Sequence, residues 1–104
     1  MTSPAITLAA EAHALHGAYT QSNRSPSGDL VAKLGEMEVY ASEHGHGETR
    51  DQAIRHLTAA TTALASVSVG SDEDRPDRHR AAIAITLSAI LAFETALRTA
   101  VGGR

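Results

Sequence analysis

Apolar residues recur along this chain at steps of three and four, the spacing that lines one side of an α-helix. Leu8, Ala12, Leu15 and Tyr19 predict a first helix over residues 3–19, with Ser3 as its cap and Pro4 suited to its first position. A polar stretch over residues 21–27 ends it. Leu30, Leu34, Met37 and Ala41 form the stripe of a second helix over residues 29–44, stopped by Gly45 and Gly47. Thr49 followed by Gln52 has the form of a capping box and opens a third helix. Its stripe, Ala53, Leu57, Ala60, Leu64 and Val67, lasts as far as Gly70. An acidic turn over residues 70–75, with Ser71 or Asp74 as cap and Pro76 near the first turn, leads into a fourth helix. That helix runs to Val101, before Gly102 and Gly103. Val67 and Val69 have the alternation of a strand, but nothing elsewhere pairs with them. The expectation is one all-α domain over residues 1–104, a four-helix bundle whose short connections favour an antiparallel, up-down-up-down order. The alternative is a looser set of helices whose core is completed by dimerisation.

The fourth helix departs from the pattern of the others. Ile83, Leu87, Ile90, Leu97 and Val101 lie on one stripe, while Ala82, Ile85, Ala89, Phe93, Ala96 and Ala100 make a second apolar surface roughly opposite. A surface helix of a monomer is polar on its outer side, so this reading calls for a cover from outside the bundle. Two-fold homodimers are the commonest assembly, and Ala82, Ala89 and Ala96, repeating every seven residues, allow close approach of two helices. The expected interface residues are Ile85, Ala89, Phe93 and Ala96. The competing reading is that another part of the same chain covers this face. Glu94 falls in the middle of the first stripe, where an ionised carboxylate must pair, take a proton or reach water. Arg98, one turn on, is its ordinary partner; His16 or His56 from another helix is the second choice, and a catalytic or metal-bound role the third.

Composition narrows the function classes. Of the residues counted as hydrophobic, 20 are alanines, and Tyr19, Tyr40 and Phe93 are the only aromatics, so the core is thin and gains from a partner. The net charge is −3 and no basic tract follows a phosphate backbone, so no nucleic acid is expected as partner. There is no cysteine, which rules out disulfides and thiolate metal sites. The first ten residues lack the charged and apolar regions of a signal peptide, and no uninterrupted apolar run of about 18 residues occurs, so a cytoplasmic location away from membranes is expected.

Six histidines raise the question of a metal. Glu11, His13 and His16 share one side of the first helix, and Glu43, His44, His46 and Glu48 crowd one loop. Metal-binding bundles draw ligand pairs from more than one helix, so no metal and no cofactor is expected. Arg50 and His56, with Asp51 after the arginine, resemble the Arg-x(4–6)-His motif of the HEPN ribonucleases, helical bundles that commonly dimerise. The resemblance implies RNA cleavage at a dimer cleft where Arg50 and His56 meet. The reading preferred here is a non-enzymatic helical interaction protein that self-associates or docks into a larger assembly through its fourth helix, and the nuclease is the alternative.

Overall fold

In a computed structural model, residues 4–21, 28–67, 69 and 73–102 are described, with side chains for residues 5–21, 28–67, 69 and 73–97. They form four helices and no strand: α1 (Pro4–Gln21), α2 (Gly28–His44), α3 (Gly47–Val67) and α4 (Arg75–Gly102). The proposed caps Ser3 and Ser71 lie outside the described residues, as do the side chains of Arg98, Ala100 and Val101. Asp74 is the cap of α4: its carbonyl accepts the first helical bond, from the Arg78 amide at 3.0 Å.

The joint between α2 and α3 is tighter than its sequence suggests. Gly45 is buried, and a Cβ there would lie 2.7 Å from the Ala41 carbonyl oxygen and 3.0 Å from the Arg50 stem. Gly47 opens α3 with φ at 66°, a left-handed conformation that glycine adopts without penalty. The helix thus begins two residues before Thr49. The threonine hydroxyl does not cap amides as a capping box would; it donates to the His46 carbonyl at 3.2 Å.

The helices enclose a core in which α2 contributes Leu30, Leu34, Met37 and Ala41, α3 contributes Ala53, Leu57, Ala60 and Leu64, and α1 only Ala9, Ala12 and Tyr19. α3 and α4 make the most extensive contact. α1 and α3 each pack on both α2 and α4, α2 also meets α4, and among the described residues α1 and α3 do not touch. In cross-section this is a rhombus with α2 and α4 on its short diagonal. The overall dimensions, 49 × 27 × 17 Å, agree with it: the thickness is about two helices.

The rhombus is why α4 is apolar over so much of its circumference. With neighbours on three sides, it buries Ala82, Thr86, Ala89, Ile90, Phe93, Ala96 and Leu97, and half-buries Ile83, Ile85 and Ala92. The surface expected to need an external cover, with Ala89, Phe93 and Ala96 at its centre, therefore faces the chain's own interior. Phe93 is fully enclosed and meets the ring of Tyr40 from α2 edge-on at 6.2 Å. Because two of the four helices sit on the short diagonal, neighbours cover α4 on all but its outward side. By length and composition the segment Arg75–Leu97 is apolar enough to cross a membrane, although Ser88 and Glu94 interrupt it; 39% of that window is packed inside the bundle.

Candidate functional site

The outward side of α4 is the apolar surface that the bundle leaves open. Ala81, Ala84, Leu87, Ser88, Leu91 and Thr95 are exposed, at steps of three and four that keep them on one strip. Leu87 is 37% exposed and Leu91 is 49% exposed. The strip begins just beyond Arg80, held to Asp77 by a short ion pair, and is bordered by Glu94, whose side chain is 30% exposed. Leu87, expected in the core stripe, is thus on the surface, while Ile90 and Leu97 of the same stripe are buried. Of the four residues expected at an interface, Ile85 is half-buried and Ala89, Phe93 and Ala96 are core.

Polar groups concentrate in the seam between α1 and α4. Glu94 is paired, but with neither His16 nor His56: the Nε2–H of His13 on α1 donates to its Oε1 at 3.4 Å, with side-chain exposures of 40% for the histidine and 30% for the carboxylate. His16, one turn on, donates from Nε2 to the Ile83 carbonyl at 3.0 Å, which fixes its tautomer because a carbonyl can only accept. Tyr19, one turn further, stacks on His79 with ring centroids 4.6 Å apart. The three pairs are met in opposite order along the two helices. On the outer side of α1, Lys33 of α2 donates to Glu11 at 2.9 Å and lies 3.1 Å from Glu36. These hydrogen bonds, Glu11 first, raise the lysine's pKa.

Among the described residues, Tyr19 Oη, His79 Nε2 and Thr86 Oγ1 are buried without a hydrogen-bond partner. Burial raises the Tyr19 pKa by disfavouring its phenolate. The sequence carries a signal for this arrangement. His79, Ala82, Thr86, Ala89, Phe93 and Ala96 run at alternating steps of three and four, the pattern of one inward stripe. Assigning the inward side to the larger residues Ile83 and Leu87 conceals it.

The residues of the other chemical readings remain apart. Arg50 folds back on its neighbour, its Nε at 3.2 Å and Nη2 at 3.0 Å both donating to Asp51 Oδ1. His56 is exposed, and six residues of helix turn it well away from the direction of Arg50. The His44 ring stacks on Tyr40 at 4.3 Å. Among the described residues no three histidine or carboxylate side chains converge as metal ligands would. No known protein family, curated protein or solved structure matches this chain.

Proposed function

We propose that this chain is a non-enzymatic interaction protein that self-associates through the outward strip of α4, centred on Leu87 and Leu91. The observation that carries the reading is the pair of half-exposed leucines on a helix face whose exposed residues from Ala81 to Thr95 are uncharged, with Glu94, held by His13, at its edge. Charge depletion around an apolar centre is the mark of the middle of an interface rather than of an ordinary wet surface. A two-fold contact brings the same strip of each copy together, so a neutral strip meets a neutral strip and the Asp77–Arg80 pair falls at its rim. The interface residues suggested by periodicity alone give way to Ala84, Leu87, Ser88 and Leu91.

The nuclease reading needs Arg50 free to meet His56, and the Asp51 contact works against it. The test of self-association is the mass in solution. Sedimentation of the wild type at tens of micromolar should give twice the chain mass of 10.8 kDa, and Leu91→Glu, an exposed substitution that spares the core, should return it to one. A wild type that sediments at a single chain's mass at every concentration overturns the reading.

A further inference from the structure

We infer that α1 is a displaceable strap, which opens as a unit from a core of α2, α3 and α4 and bares the flank of α4 that carries His79, Ile83 and Glu94. The observations are of three kinds, and none depends on what the outward strip of α4 binds, because each concerns only how α1 is held.

The first is what α1 buries. Its core residues are Ala9, Ala12 and Tyr19, and no leucine, isoleucine, valine or methionine of this helix is fully enclosed. Leu8 and Leu15 pack against the core while half-open, and Ile6 is exposed. α2 and α3, of similar length, each bury two or three large side chains.

The second is how α1 is held. Its backbone lies against α2 and α4 and, among the described residues, not against α3, and many of its contacts are polar: Glu11 to Lys33, His13 to Glu94, and His16 to the Ile83 carbonyl. Polar links at half-exposed positions exchange readily for water, so their loss on opening costs little. The third is the unpartnered pair, Tyr19 Oη and His79 Nε2. Both tips are buried without a hydrogen bond when α1 is closed, and both regain water when it lifts, which favours the open form. Elements with few buried apolar contacts open at a lower free energy than the global transition. By these measures α1 is the weakest-held element of the fold.

Native-state hydrogen exchange on the full chain tests this. Amides in the middle of α1, from Ala12 to Gly17, should show protection at least about ten-fold below that of Leu57, Ala60 and Leu64 in α3, through an opening that depends only weakly on added urea. Tyr19→Phe, which keeps the ring and removes the unpartnered hydroxyl, should raise α1 protection severalfold and leave α3 unchanged. If α1 and α3 share one exchange free energy and one urea dependence, or if Tyr19→Phe moves both helices equally, the strap is not a separate unit and the inference is overturned.

Discussion

Thr86 shows how much one atom weighs in so small a core. Its side chain is fully buried between Ala82 and Ala89 of the inward stripe, and its hydroxyl has no partner. A buried hydroxyl without a hydrogen bond carries its full desolvation cost. Valine has the same shape with a methyl in place of the oxygen and the same branched β-carbon, so helix propensity is nearly unaffected. Thr86→Val should therefore stabilise the fold by about 1 kcal/mol, read as a shift in the urea midpoint at unchanged slope. Since most substitutions destabilise, a gain here is diagnostic, and a loss would mean that the hydroxyl is satisfied in solution. At this scale the sequence is legible where backbone chemistry decides. Gly45 and Gly47 mark the end of α2 and the start of α3, one through close approach and the other through a left-handed φ. It is less legible where two residues can serve one role: Thr49 has a cap's identity, but the helix opens earlier at Gly47.

Each helix can be read from its stripe as far as its neighbours allow. The stripes of α2 and α3 coincide with their buried residues, save for the half-buried Val67 at the end of α3, because each of these helices presents one apolar side, ringed by Asp29, Glu36 and Glu43 on α2 and by Asp51, Arg55 and Thr62 on α3. α4 offers no such contrast. Apolar on all sides, it can be assigned inward and outward only from knowledge of how many helices surround it, which is a tertiary property. α1 stands between these cases, with a recognisable stripe and an anchorage made of polar links. One of those links and one buried group beside them share a pH dependence. The Lys33 pKa is raised above 10.5 by its hydrogen bonds to Glu11 and Glu36, and the Tyr19 pKa is raised above 10.0 by burial. In both, the folded state holds its proton more tightly than the unfolded chain does. Their contributions are whole below these ordinary values and are withdrawn as pH rises through the raised ones. Thermal midpoints measured from about pH 9 to about pH 11.5 should therefore fall above about pH 10. Lys33→Met should remove part of that fall and Tyr19→Phe another part, whereas equal falls in all three proteins would place the alkaline sensitivity elsewhere.

For the whole molecule, what matters is how little apolar volume the bundle encloses. Among the described residues 17 hydrophobic ones are buried and eight of these are alanines, so nearly half of them supply single methyl groups. This lets the helices come close, in keeping with a thickness of 17 Å, and it leaves Phe93, Met37 and four fully buried leucine and isoleucine side chains to supply most of the transfer free energy. The all-helical class and the thin core follow from composition. The rhombic section does not, because it depends on α2 meeting α4 across the bundle while α1 and α3 stay apart. A domain of this kind has a small margin of stability, on the order of 5 kcal/mol, and any contact made only by the folded state adds to it. If two copies meet through Leu87 and Leu91, unfolding must also separate them, and the thermal midpoint must rise with protein concentration. Across a hundred-fold concentration range the mass-action term for a dimer approaches about 3 kcal/mol, counted per dimer. For a chain of this length that corresponds to a midpoint shift of several degrees, roughly 4–8 °C for each 1 kcal/mol per chain. Leu91→Glu should abolish the dependence while leaving the midpoint at the lowest concentration nearly unchanged, because the side chain is half-exposed and its loss opens no cavity. A wild-type midpoint that stays constant over the whole range would mean that these leucines meet only water, and that the fold is stable as a single copy.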